Sequence, residues 1–313
     1  MIHWDRTAVK PVLGAWVSYN SLMDQATPQS DADQAPIGRA ATHRVGCVSY
    51  LNAKPLIAGL DVEPGIAVKT DVPARLLKDL ESGEVDIALC PVFDFFNSNQ
   101  PLAIVPVGAI GCEGPTLTVR LYSQVPIDQI TTLHADTDSH TSVALAQILL
   151  AKLFHVRPTM VDYDARERTA EGRIDESPQA MLLIGDKVVT GSPLAVKYPY
   201  QMDLGEGWHE MTGLPFVFAI WMTRAGTDLD DLPSRLQARL EANLPQRLLI
   251  AERFAEQHGW PHDLAEHYLI DVLRYQVGPL ELEAIARFGK HVYELGLVDA
   301  LREPELYPGA GQP

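Results

Sequence analysis

From Arg44 onward, short apolar runs bounded by Gly, Pro, Asp or Asn alternate with segments whose apolar residues recur every three to four positions. Short β-branched runs read as strands, and the longer period reads as helix. On that basis Val45–Tyr50, Ile66–Thr70 and Val85–Cys90 are strands, Pro55–Leu60 begins a helix, and Pro73–Leu80 is an amphipathic helix stopped near Gly83. Leu102–Ile110 and Thr116–Ser123 are further strands, separated by the turn-rich Gly111–Pro115. A second unit follows: strand Ile130–Ala135, helix Ser139–Leu150, strand Thr159–Tyr163, and strand Ala180–Ile184 ending in Gly185-Asp186. Phe216–Met222 is a lone strand, apolar enough to need burial on both faces, and is expected to return to the first sheet. Beyond it the pattern predicts only helices, over about Pro233–His258, His262–Val277 and Leu280–Leu297.

Strands alternating with helices predict an α/β protein with largely parallel sheets. Crossovers near Tyr122–Ser123 and Gly213–Pro215 divide it into two lobes, residues 44–123 with 213–302 and residues 124–212. Residues 1–43 form an N-terminal extension and residues 303–313 a C-terminal tail, both expected to be dispensable because they lack a sustained apolar period. Ligands of open α/β sheets bind beyond the carboxyl ends of strands, so the strand-end loops, Pro91-Val92 and Gly185-Asp186 among them, are expected to face the cleft between the lobes.

Chemistry gathers at those loops. Ser139-His140-Thr141-Ser142 places a cluster of hydroxyls at the start of an apolar-periodic helix, directly after a strand. Free backbone N–H groups there, joined by hydroxyls, bind a carboxylate or phosphate without any basic residue. An ordinary Ser/Thr N-cap fits the same residues. His140 either lines that loop or is solvated. Ser49 and Asn52 run off the first strand into a helix start, where Asn52 either meets a ligand, with one donor and one acceptor end, or caps the helix. Asp94 after the third strand reads best as a cap of the following turn. Thr116 and Thr118 share one strand parity, so Thr118 is placed to reach the cleft or to be an exposed strand residue. Arg120, on the same parity, is better read as a structural ion pair than as a carboxylate ligand.

The overall charge changes what kind of ligand is expected. With 25 Lys and Arg against 41 Asp and Glu, the net charge of −16 opposes nonspecific binding to nucleic acid or to an anionic membrane surface. An anionic small molecule must then be held by local dipoles. Cys47, Cys90 and Cys112 are odd in number and widely spaced, which predicts reduced thiols. The His and Cys spacings match no metal site, and no metal or other cofactor is expected. No apolar run approaches the roughly 20 residues that span a bilayer, and Met1–Thr42 shows no signal-peptide core, so a cytoplasmic protein is expected. Nothing in the chain signals an oligomeric state.

Several segments together resemble the chorismate dehydratase family of the futalosine route to menaquinone. They are Val48-Ser49-Tyr50-Leu51-Asn52-Ala53-Lys54-Pro55-Leu56, Gly83–Leu89, Asp136–Leu150, Leu183-Ile184-Gly185-Asp186 and Asp203–Trp221, in order along about Arg44 to Leu301. The resemblance implies a type II periplasmic-binding-protein-like fold, two lobes and a cleft with C-terminal helices. It also implies loss of water from chorismate to give 3-[(1-carboxyvinyl)oxy]benzoate. Asn52 takes the place of a cleft asparagine important to activity, and Ser139, Thr141 and Ser142 match the family's anion loop. Two positions depart from the pattern: Val92 stands where many members carry a serine, and His140 replaces the usual arginine.

Aromatisation drives such a reaction, so weak acids and bases suffice. With no protein base evident, the substrate's own enolpyruvyl carboxylate is expected to remove the ring proton. Two other readings stand beside this one. A non-catalytic cytosolic carboxylate binder or sensor would share the fold. The sister enzyme that forms 1,4-dihydroxy-6-naphthoate typically has a Pro-Asn-containing first-strand segment unlike Ser49–Pro55 here.

Overall fold

In a computed structural model the chain is described over residues 43–164 and 178–309, apart from 192 and 194. Residues 1–42 of the expected N-terminal extension therefore lie outside the described residues, as do residues 165–177 of the expected second lobe; His43 already belongs to the first strand. Strand β1 (His43–Val48) pairs in parallel with β2 (Ile66–Asp71) and β3 (Ile87–Pro91). Between them come a 3-10 turn, Leu51–Ala53, the short helix α1 (Lys54–Ile57) and helix α2 (Pro73–Ser82). Pro73 starts α2, where its missing N–H costs nothing, and Gly83 ends it in the left-handed conformation at φ 76°. β4 (Leu102–Cys112) and β10 (Phe216–Arg224) complete the centre of this sheet as antiparallel partners. The return of Phe216–Met222 to the first sheet is thus as expected: its apolar residues need cover on both faces, and it runs between β3 and β4.

The second sheet has the order β7-β6-β8-β5-β9, built from β5 (Val119–Ser123), β6 (Thr132–Asp136), β7 (Thr159–Tyr163), β8 (Ala180–Ile184) and β9 (Tyr200–Asp203). β6 runs parallel to β7 and β8, whereas β5 lies antiparallel between β8 and β9. This corrects the first crossover. Residues 119–123 were expected with the first sheet, but the chain changes sheets before Val119, through the turn after Cys112. A strand's own apolar pattern reports that it is buried, not which strand it pairs with.

Three further differences concern the C-terminal half. Pro233–His258 is two helices, α7 (Leu232–Asn243) and α8 (Arg247–Phe254), with 3-10 turns at Leu244–Gln246 and Glu256–His258. Before them come α3 (Val92–Asn97), α4 (His140–Leu153), α5 (Lys187–Thr190) and α6 (Leu204–Thr212). The expected helix His262–Val277 is α9 (His262–His267), a π-turn at Tyr268–Val272, and a two-residue strand β11 (Leu273–Arg274) at the edge of the first sheet. Finally, residues 303–309 are not a loose tail. Ile104 donates its N–H to Glu305 at 2.7 Å, Tyr307 donates its own to Ile104 at 2.8 Å, and the Tyr307 hydroxyl accepts from Leu229 N. The segment pairs with β4 at Ile104, on the edge where β11 pairs Gly111 and Cys112. Helix α10 (Pro279–Glu294) precedes it, close to the Leu280–Leu297 expected.

Candidate active site

The carboxyl ends of β1, β3 and β8 and the segment following β6 converge on one pocket. That is the place general rules give a ligand in such sheets. From the first sheet come Val48, Tyr50, Asn52 and Pro91, with Phe218 and Ala219 of β10; from the second come Ile184 and Gly185, with Ser139 and Ser142 at the start of α4. Thr116, Thr118 and Tyr268 close it. Among the described residues the wall carries no Lys, Arg, Asp, Glu or His. What these residues offer an anion is hydroxyls, an amide and backbone dipoles.

The start of α4 fits that task. Ser139 has extended backbone and caps the helix, its Oγ accepting from Ser142 N at 3.2 Å. Ser139 Oγ in turn donates to Ser142 Oγ at 2.9 Å, which leaves the Ser142 hydroxyl hydrogen free to point elsewhere. Ser139 is therefore the N-cap of α4 and also a residue of the pocket wall.

Asn52 caps nothing: the residues preceding the 3-10 turn and α1 are Tyr50 and Ala53, and neither helix start has a side-chain cap. Its Nδ2 lies 3.5 Å from the Tyr268 hydroxyl, and its Oδ1 is buried with no partner. Tyr268 is fully buried, and burial pushes its phenol well above the ordinary value, so it stays neutral. Thr118 Oγ1 is 2.7 Å from the same phenol oxygen.

Thr116 and Thr118 do not alternate along a regular strand as expected. Leu117 between them has φ 63°, an uncommon conformation for a branched residue, and β5 begins only at Val119. Asp203 holds this bend. Its carboxylate accepts from Thr116 N and Leu117 N, both at 2.9 Å, and also from Gly205 N and Glu206 N, capping α6. Arg120 sits 3.5 Å from Asp203, which makes it the structural partner expected.

Of the residues singled out from sequence, Asn52, Pro91, Thr118, Ser139, Ser142 and Gly185 line the pocket together. The others are placed differently. Ser49 is exposed and outside the wall. Val92 is fully buried as the first residue of α3, so the hydroxyls in the pocket come from the Ser139 and Thr116 loops instead. Thr141 Oγ1 accepts from Phe93 N at 3.0 Å, tying α4 to α3. His140 turns from the pocket to bond Asp94 at 2.7 Å. Asp94 is no cap; it is a fully buried residue within α3, its pKa raised by burial against the pull of His140. Asp186 accepts from His258 Nδ1 and Trp260 Nε1, both at 2.9 Å, and so meets protein with both oxygens.

Residues that sequence reasoning did not single out complete the frame. Tyr50 lines the pocket and donates to Asp138 at 3.0 Å, and Lys187 bridges Asp138 and Asp136 behind it. Cys47, Cys90 and Cys112 are buried free thiols. Among the described residues no cluster of three His, Cys, Asp or Glu is placed to hold a metal ion, and no helix is long and apolar enough to cross a membrane.

Solved structures share this architecture. The alkanesulfonate-binding protein of Xanthomonas axonopodis pv. citri superposes with a TM-score of 0.62 at 16% identity, covering 84% of this chain and 96% of its own. A Candida albicans protein with the generic periplasmic binding protein fold gives 0.57 at 12% identity, covering 85% and 97%. The two sheets with their strand ends facing one pocket are thus a two-lobe periplasmic-binding-protein-like fold. Residues 43–294 match the family described as menaquinone biosynthesis, and the chain belongs to that family. A chorismate dehydratase from Thermus thermophilus is 29% identical over 281 residues, spanning 84% of this chain and 98% of the relative.

Proposed function

We propose that this protein dehydrates chorismate to 3-[(1-carboxyvinyl)oxy]benzoate, with the first sheet and its helices forming one lobe, the second sheet the other, and the pocket between them the active site. The observation that carries the reading is the pocket wall: hydroxyls, an unpartnered amide oxygen and a helix start, with no charged side chain among the described residues. Chorismate brings two carboxylates to that wall. The free hydroxyl hydrogen of Ser142, with the uncapped backbone N–H groups at the start of α4, holds one of them, and the apolar face made by Val48, Ile184 and Phe218 takes the ring.

Among the described residues no side chain in the wall serves as a base at neutral pH. The enolpyruvyl carboxylate of the substrate therefore takes the proton from the ether-bearing ring carbon. The adjacent C–O bond breaks, the hydroxyl leaves with that proton as water, and the ring becomes aromatic. The protein orients the groups and keeps the enolpyruvyl arm from rearranging. The cytoplasm suits the three free, buried thiols.

The test is incubation of the purified protein with chorismate and identification of the product by mass spectrometry. Loss of one water with an aromatic ultraviolet spectrum is the expected result. Unchanged chorismate refutes the reading, and binding without turnover in a thermal-shift assay would favour a carboxylate sensor.

A further inference from the structure

The hydroxyl of Tyr268 lies in the pocket wall between Asn52 and Thr118, and nothing above gives it a function. Its ring cannot swing away. It is 1% exposed and stacks on Trp260, with ring centroids 4.8 Å apart and planes 18° apart, while Trp260 is itself held through Nε1 by Asp186. The backbone under it is the π-turn Tyr268–Val272, an irregularity that interrupts the helical run and is a recurrent device at functional sites.

The phenol oxygen has two polar neighbours, Thr118 Oγ1 at 2.7 Å and Asn52 Nδ2 at 3.5 Å. A phenol O–H is a stronger donor than an aliphatic hydroxyl, so the short bond runs from Tyr268 to Thr118. The phenol's lone pairs then face Asn52, and only a donor satisfies them. The amide must therefore turn its NH2 toward Tyr268 and its Oδ1 away. That oxygen is buried and has no protein partner, an arrangement that costs free energy until a ligand supplies a donor.

The inference that follows rests on the chorismate reading. With both carboxylates ionised, chorismate has a single hydrogen-bond donor, the ring hydroxyl that leaves. We propose that Tyr268 is a positioning residue that sets the direction of the Asn52 amide, so that Oδ1 accepts the hydrogen of the departing hydroxyl. Pinning that hydrogen on Oδ1 leaves the oxygen's lone pairs facing the enolpyruvyl carboxyl. The proton taken from the ring carbon passes to that oxygen, the C–O bond breaks, and water leaves. A flipped amide would donate to the same lone pairs and compete with their protonation.

The experiment has two readouts on the full chain. In a 15N-labelled sample without substrate, the Asn52 side-chain NH2 signal is assigned by its loss in Asn52→Asp. It should move in Tyr268→Phe and in Thr118→Val, and Thr118→Ser, which keeps the acceptor, should bring it back. With chorismate, Tyr268→Phe should lower kcat by at least about tenfold with KM changed less than about threefold, and the double variant Tyr268→Phe with Thr118→Val should be no slower than the slower single. An amide signal that does not move, or a Tyr268→Phe enzyme with wild-type kcat, overturns the proposal. A wild-type protein inactive on chorismate whose amide signal still moves overturns the role in water loss and the chorismate reading with it, while leaving the Tyr268–Asn52 coupling established.

Discussion

Ser142 offers a direct test of how this pocket holds an anion. Its side chain is 1% exposed, its oxygen accepts the Ser139 hydroxyl, and its own hydrogen is thereby free for a ligand. Ser142→Ala removes that donor and leaves the Ser139 hydroxyl without its acceptor. A hydrogen bond to a charged group contributes about 1.5–3 kcal/mol, and each 1.4 kcal/mol is a factor of ten, so KM for chorismate should rise by about ten- to a hundredfold. Ser142→Asp should do more. Two like charges about 4 Å apart repel by about 4 kcal/mol at the effective dielectric of a partly buried site, on top of the lost donor. Thr141→Ala separates this effect from simple damage to α4. Its Oγ1 accepts from Phe93 N and is not in the pocket wall, so its loss should lower the unfolding midpoint by leaving a buried N–H unpaired and raise KM less than Ser142→Ala does. Steady-state assays of water loss and thermal unfolding of the three variants decide it. If Ser142→Asp bound chorismate with wild-type affinity, the carboxylate would not lie at α4, and the hydroxyls of Thr116 and Thr118 would have to be tested next.

Four other expectations follow from particular contacts. Asn52→Ala should abolish most turnover while the fold melts normally, and an unchanged kcat would remove this residue from the mechanism. At Gly205 an added Cβ would sit 2.5 Å from Cys112 Sγ and 2.6 Å from the Gly114 carbonyl, so Gly205→Ala should destabilise by about 1–3 kcal/mol, read as a lower unfolding midpoint in calorimetry. Deleting residues 303–313 should lower the midpoint as well, because two backbone bonds to Ile104 and the Tyr307 contact to Leu229 go with them; a midpoint equal to wild type would show the segment to be dispensable after all. The bond to Asp94 raises the pKa of His140 above its ordinary 6.5, so charged His140 is favoured in the folded state, and burial raises Asp94 in the same sense. That stabilisation is complete below about pH 6.5 and is lost as pH climbs through the raised value, so the midpoint difference between wild type and His140→Gln should shrink with rising pH.

What was legible in the sequence is what local physics dictates. Ser139 reads as an N-cap because a hydroxyl before an apolar helical run has few other functions, and Thr159–Tyr163 and Ala180–Ile184 read as strands because short apolar or β-branched runs end in turn residues. The edge strands β9 and β11 escaped because they are short and half polar, so no period develops in them. The sheet to which β5 belongs escaped for a different reason: Leu121 is fully buried in either arrangement, and only pairing distinguishes them.

The candidate site divides along the same line. Asn52, Ser139 and Ser142 stand at strand and helix ends, where polar residues between apolar runs are visible one segment at a time. Tyr268 stands 216 positions from Asn52 inside a run whose spacing reads as ordinary helix packing, and nothing local marks it. The one available hint was chemical: a tyrosine buried in a core almost always finds a partner for its hydroxyl, and Leu269 beside it announces a core position. The same holds for Asp94 and His140, two titratable groups 46 positions apart in different sheets' helices that meet at 2.7 Å. The pocket therefore exposes its loops to sequence reasoning but hides the contacts that orient them, because those contacts join residues far apart in the chain: Asn52 with Tyr268 on the first sheet's side, Asp94 with His140 between the two sheets' helices.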